Sequence, residues 1–364
     1  MAANLNLRGL HDAGVSIWLD TLSRELLQTG EFAELIGDYS VTGATSNPTI
    51  FAKASSDRYD DELRRLAHAG QRDTQQLFFS LALDDIREAA RLLRPAYDQS
   101  GGRDGFISFE CTPDLADDTD RTIAQATDLW HRIDRPNAMI KVPGTAAGLP
   151  AIEELTRRVI VNITLLFSIE RYEQVIDAYQ RGLSARVDAG QPLAGIRSVA
   201  SFFLSRIDVK VDPQLPEGSP LRGQVALASA RVAYQRYRAK FAADAWERLA
   251  GAARQRPLWA STGTKNPDYP DVLYVSELIG PELVNTMPEH TLRAFADHGV
   301  IARTIDAHPA GAERTLADAA AAGVDLASAT AELEREGVKS FCDSYEQLLD
   351  CIAAKIGTLA GAGG

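Results

Sequence analysis

The chain has few cysteines, and none is placed for a shared task. Cys111, Cys342 and Cys351 are the only three in 364 residues; no two form a CxxC pair, and no Cys/His spacing suits zinc. So sparse and odd a set points to a reducing, cytoplasmic setting. Residues Met1 to Gly9 lack an apolar h-region, so no secretory signal is expected. No run is apolar for long enough to span a bilayer. An excess of positive charge is also missing. The formal net charge is −12 with both signs interleaved, which argues against nucleic acid or an anionic membrane as the main partner. No G-x-G-x-x-G follows the first apolar run, which weakens a dinucleotide-binding fold. No repeat, low-complexity block or linker divides the chain, so residues 1–364 are expected to form a single domain.

What is present is an alternation of short apolar runs with helical patterns. The runs are Val15–Leu19, Tyr39–Thr45, Phe106–Phe109, the stretch from Asn137 to Gly144, Val159–Ile163, Ile196–Ala200, Pro257–Ala260 and Leu283–Thr286. Between them lie helical patterns at Asp57 to Ala69, Asp73 to Leu93, Leu149 to Arg158, the segment capped by Ser168, and Gln224 to Ala250. Asn47-Pro48 opens a helix expected through Ile50, Phe51 and Ala52. The tail predicts two helices, Leu326 to Glu336 and Val338 to Ile356. Eight strand-helix units in this length predict an α/β fold, a (β/α)8 TIM barrel with additional helices. The extra material is a helical insertion at about 212–254 and C-terminal helices at about 326–356. The tail stripe of Phe341, Tyr345, Leu348, Ile352 and Ile356 is expected to pack across the barrel.

One residue breaks the apolar pattern in the fourth strand. Lys141 sits among Met139, Ile140 and Val142, and the run closes at Pro143-Gly144. Lysine is rarely buried without a partner or a use. Withdrawal from water favours the neutral form of a lysine, and a neutral amine attacks carbonyls to form Schiff bases. A lysine stem snorkelling to water would look the same in isolation. The polar residues around it change that balance. Asp20, Thr45 with Asn47, Glu110, Thr164 with Asn162, Ser201 and Ser261 all fall at the C-terminal ends of the predicted strands. A barrel gathers those ends at one mouth. Each alone has a plain explanation as a cap, turn or solvated strand end. Together they suit carbonyl chemistry. Lys141 supplies the amine, and Glu110 shuttles protons through a water held by Thr164. Asp20 takes the hydroxyl proton whose loss breaks a carbon–carbon bond. This retro-aldol chemistry needs no cofactor and no metal. Arg206 and Lys265 follow the sixth and seventh strands, where many barrels bind phosphate. A salt bridge from Arg206 to Asp208 or to a neighbouring helix is the structural alternative.

The order of these residues resembles the transaldolase family. Thr45-Ser46-Asn47-Pro48-Thr49 is similar to its T-[ST]-N-P-[ST] motif. Ile140-Lys141-Val142-Pro143, with Thr145 and Gly148, is similar to its active-site lysine motif, and the run from Asn162 to Ser168 to N-x-T-L-L-F-S. The length resembles the longer bacterial members. The resemblance implies a pentose phosphate pathway transferase on a class I aldolase barrel. Such an enzyme moves a dihydroxyacetone unit from fructose 6-phosphate or sedoheptulose 7-phosphate to erythrose 4-phosphate or glyceraldehyde 3-phosphate. It implies a Schiff base on Lys141, acid/base work by Asp20, and a relay water positioned by Glu110 and Thr164. Asn47, Asn162 and Ser201 would hold the hydroxyls, with Thr45 and Phe203 beside them, and Arg206 with the Ser261 loop would hold the phosphate. One departure stands out. Shorter members commonly carry an arginine two residues after the serine at this position, whereas here Thr262-Gly263-Thr264 intervenes before Lys265.

Two other functions fit parts of this pattern. A fructose-6-phosphate aldolase on the same fold would release free dihydroxyacetone, but such enzymes lack a glutamate at the position of Glu110. A catalytically silent barrel could bind sugar phosphates as a sensor, which the joint presence of Asp20, Glu110 and Lys141 disfavours. Sugar phosphates are the expected partners, and monomer and homodimer both fit.

Overall fold

Eight parallel strands close on themselves in chain order: β1 (Val15–Leu19), β2 (Val41–Thr45), β3 (Phe106–Glu110), β4 (Ala138–Pro143), β5 (Val161–Leu166), β6 (Ser198–Phe203), β7 (Arg256–Ala260) and β8 (Leu283–Met287). The computed structural model describes residues 4–46, 57–242, 246–307 and 309–361. Asn47 and the helix expected through Ile50–Ala52 lie outside the described residues. β1 closes the barrel against β8, with Ile17 opposite Asn285. Nearly every strand residue is buried, because one face fills the barrel and the other packs beneath helices. This double burial explains why the strands read as continuous apolar runs rather than as alternating ones.

Strand edges differ from the expectation at the polar residues that close β5 and β6 in the sequence pattern. β5 starts two residues later than Val159 and runs through Thr164 to Leu166, and β6 runs through Ser201 to Phe203. Polar side chains here belong to the ladder, since the upper layer of this barrel interior is itself polar. β5 also carries an irregularity between Ile163 and Leu166, with Leu165 in the left-handed region at φ 61°.

Among the helices, Thr119–Ile133 was not anticipated, although Asp118 caps it by accepting from the Arg121 N–H at 3.0 Å. The helix expected from Gln224 to Ala250 ends at Lys240. Phe241 turns back there to pack edge-on against Trp246, with ring centroids 4.8 Å apart. The predicted helix from Asp73 begins as expected, Asp73 accepting from the Gln76 N–H at 2.9 Å, but it continues past Pro95 to Gln99.

The tail is the largest correction. Instead of two helices broken at Gly337, a single helix runs from Leu326 to Gly361. Gly337 does not end it; it lets the helix lie close to β5. A Cβ added there would sit 3.0 Å from Leu165 Cδ2. Phe341, Tyr345, Leu348, Ile352 and Ile356 are all buried on the inner side of this helix. Among the described residues, no helix is long and apolar enough to cross a membrane.

Candidate active site

β3 and β4 are neighbours in register, with Glu110 paired to Lys141 and Lys141 paired to Asn162 on β5. That register sets the first contact of the site. Lys141 Nζ lies 2.6 Å from Glu110 Oε1, and both side chains are less than a tenth exposed. It is a charge contact rather than a well-aligned hydrogen bond, and Glu110 Oε2 has no hydrogen-bond partner among the described residues. Burial pushes the Glu110 carboxyl up from its usual range, while the neighbouring ammonium pulls the other way. Thr164 Oγ1 is likewise buried without a partner. A recess of ≈ 20 Å³ opens between Glu110, Thr164 and Lys141, room enough for a single water.

On the other side of Lys141 lies a cavity of ≈ 200 Å³. Asp20 at the end of β1, Thr45 of β2, Ser201 and Phe203 of β6, and Ser261 after β7 all face it, together with Arg206 and Lys265. Asp20 accepts from Thr21 Oγ1 at 2.9 Å. Its pKa is raised chiefly by burial, against the pull of the Thr21 hydroxyl and of Lys265, His290 and Lys141. Asn162 sits below, bridging strands: its Nδ2 donates to Ser108 Oγ at 3.0 Å and its Oδ1 accepts from Ser201 Oγ at 2.7 Å. Thr45 and Thr286 hydroxyls meet at 3.4 Å. Asn47 lies outside the described residues.

The cationic end of the cavity is built by the chain after β6 and β7. Ser261 is in the left-handed region at φ 55°, and its hydroxyl meets that of Ser205 at 2.9 Å, tying the two loops together. Arg206 stacks over the Phe203 ring at 5.5 Å, and burial lowers its pKa. The alternative salt bridge to Asp208 is not formed: Asp208 accepts instead from the Ala226 N–H at 2.8 Å and the Tyr274 hydroxyl at 2.7 Å. The exposed Lys265 borders the same cavity. The lysine motif's other two positions shape its turn. Thr145 Oγ1 accepts from the Gly148 N–H at 3.0 Å, and a Cβ on Gly148 would lie 2.1 Å from the Pro143 carbonyl oxygen.

Four cavity residues escaped the sequence reading: Ser46, Ala260, Thr286 and Phe341. Ser46 and Thr286 could have been found by their place at the ends of β2 and β8. Phe341 could not, since it comes from the far end of the chain and was visible only as one member of an apolar stripe. Among the described residues, no group of three His, Cys, Asp or Glu side chains is placed to hold a metal ion. A buried amine between a recess with one carboxylate and a chamber with a second carboxylate and two cations can form an imine, move protons on and off it, and anchor an anionic substrate.

Comparison with known proteins places the chain in a family. The family model described as Transaldolase/Fructose-6-phosphate aldolase matches residues 17–352. A transaldolase of Parafrankia sp. (strain EAN1pec) is 49% identical over 365 residues, covering 97% of this chain and 99% of its own. A transaldolase of Frankia alni is 49% identical over 362 residues, covering 96% and 97%. A transaldolase of Mycolicibacterium smegmatis is 48% identical over 367 residues, covering 98% and 99%.

Proposed function

The chain belongs to the transaldolase/fructose-6-phosphate aldolase family, and from that premise we propose how its mouth residues carry out a dihydroxyacetone transfer. Its activity is that of a transaldolase, a transferase of the pentose phosphate pathway. The observation that carries the assignment of roles is the buried Lys141–Glu110 contact, open on one side to a water-sized recess and on the other to a chamber with Asp20 and two cations.

Glu110 takes a proton from the Lys141 ammonium 2.6 Å away, and the amine so freed attacks C2 of a ketose phosphate. The carbinolamine oxygen must gain a proton to leave as water. Glu110 delivers it through the recess, where its free Oε2 and the free Thr164 hydroxyl are the groups able to hold a relaying water. Asp20 then takes the proton of the C4 hydroxyl. The C3–C4 bond breaks, its electron pair forms the enamine, and the aldose phosphate departs. A raised pKa suits Asp20, which must take that proton and later return it to the oxygen of the incoming aldehyde. Asn162, Ser201 and Thr45 hold the hydroxyls of the three-carbon unit, with Asn47 as a further ligand and Phe203 against them. Arg206, Ser261 and Lys265 take the phosphate, Lys265 standing in for the arginine of shorter relatives. The protein works in the cytoplasm, as its three unpaired thiols suggest, on sugar phosphates and as a monomer or homodimer.

The test is glyceraldehyde 3-phosphate release from fructose 6-phosphate, with and without erythrose 4-phosphate. Borohydride trapping of the imine is followed on Lys141. Release that depends on the acceptor, with label on Lys141, is expected. Equal release without acceptor would identify an aldolase.

A further inference from the structure

Phe341 stands where two cavities of different character meet. The recess beside Glu110 and Thr164 and the chamber beside Asp20 are separate, and among the described residues only Lys141 and Phe341 line both. The Phe341 ring lies with its centroid 5.8 Å from Lys141 Nζ and is only 7% exposed. The helix holding it is fixed from several sides. Gly337 lets it approach Leu165, and Tyr345 meets the Phe78 ring edge-on at 5.8 Å. Lys210 pairs with Glu332 and Glu336, each at 2.7 Å, and so joins this helix to Ser205–Val211, which carries Arg206.

The geometry points to Phe341 as the residue that decides whether the three-carbon unit is transferred or released, an inference that rests on the imine chemistry assigned to Lys141. The enamine left after C3–C4 cleavage has two fates. In transfer, C3 bonds to the carbonyl carbon of a second aldose, whose oxygen takes the proton held by Asp20. In release, C3 itself takes a proton. Water then adds at C2, the C2–N bond breaks, and free dihydroxyacetone leaves with Lys141 again an amine. The water expelled when the imine formed balances the water consumed. The two paths therefore diverge at the protonation of C3. An apolar ring between the recess and the chamber keeps the relay water on the nitrogen side, where Glu110 and Thr164 can use it, and away from the carbon that must wait for an acceptor.

The experiment compares the parent protein with Phe341→Leu, Phe341→Val and Phe341→Ala. The readout is glyceraldehyde 3-phosphate released without acceptor, divided by the transfer rate with erythrose 4-phosphate. Borohydride labelling of Lys141 is followed in parallel. The ratio is expected to stay within about twofold in the leucine variant and to rise about tenfold or more as the side chain shrinks to alanine. Should the alanine variant fail to fold, the leucine and valine variants decide. A ratio that stays flat across the series, with both rates falling together, would mean a merely structural ring and overturns the inference alone. Absence of trappable imine in the parent protein overturns the Lys141 chemistry and this inference with it.

Discussion

Asp208 lies two positions beyond Arg206, and in one dimension the pair invites a salt bridge. In the fold the helix between them turns the carboxylate away, to the N–H of Ala226 and the hydroxyl of Tyr274. Arg206 is thereby left to the cavity. Burial pushes the Asp208 carboxyl up to about 7, with nearby Asp212 adding to the rise and the two hydrogen bonds opposing it. An acid whose folded pKa exceeds its unfolded value ionises first in the unfolded chain. Between about pH 4 and about pH 7 the folded state therefore holds the extra proton. Stability falls across that window as pH rises, by about 1.4 kcal/mol for each pH unit at full effect. Asp208→Asn removes the titration while keeping both contacts, since its oxygen accepts from Ala226 and its amide donates to the Tyr274 oxygen. The variant should gain in melting temperature relative to the parent as pH is raised from about 5 to about 8. A constant difference across that range would show that Asp208 carries no such penalty.

The long C-terminal helix shows what a sequence can and cannot convey about an element. Its apolar stripe was legible, as were all eight strands, because burial leaves a periodic or continuous apolar record. The Thr119–Ile133 helix was not, although its cap lay in plain view at Asp118. The continuity of the tail through Gly337 was also hidden. Glycine weakens a helix by about 1 kcal/mol against alanine, so a lone glycine reads as a break. The reason to keep it lies in Leu165, 172 positions away and itself in the left-handed region. Two substitutions separate propensity from contact. Gly337→Ala gains helix propensity but needs Leu165 to yield slightly, so stability should change little. Gly337→Val places branched methyls against the same side chain. It should destabilise by about 1–3 kcal/mol and reduce transfer by shifting Phe341. Denaturant melts and transfer assays on both would check this. A valine variant as stable and active as the alanine one would show that the close approach is unimportant.

At the scale of the whole molecule the fold works against its own charge. The chain carries a net −12, whereas the proposed substrates are phosphate anions. Strand order at the barrel mouth brings Lys141, Arg206 and Lys265 to one chamber from positions far apart in sequence. That convergence was legible as polar strand ends, while the bridge of Ser108, Asn162 and Ser201 beneath it was not, since hydrogen bonds across a barrel leave no periodic trace. The two charge effects act over different distances. Repulsion by the molecule as a whole is long-ranged and is screened as the Debye length shrinks from about 30 Å at 0.01 M salt to about 8 Å at 0.15 M. Attraction inside the chamber acts over contact distances, where screening is weak. Raising sodium chloride across that range should therefore increase kcat/KM for fructose 6-phosphate modestly. Sodium sulfate at equal ionic strength should lower it, because a dianion competes for the phosphate ligands. Arg206→Ala should raise KM and weaken sulfate inhibition together while leaving the chloride effect in place. An equal loss of activity in both salts would mean that screening of the chamber itself dominates, and that Arg206 and Lys265 act through the bulk field rather than through contact.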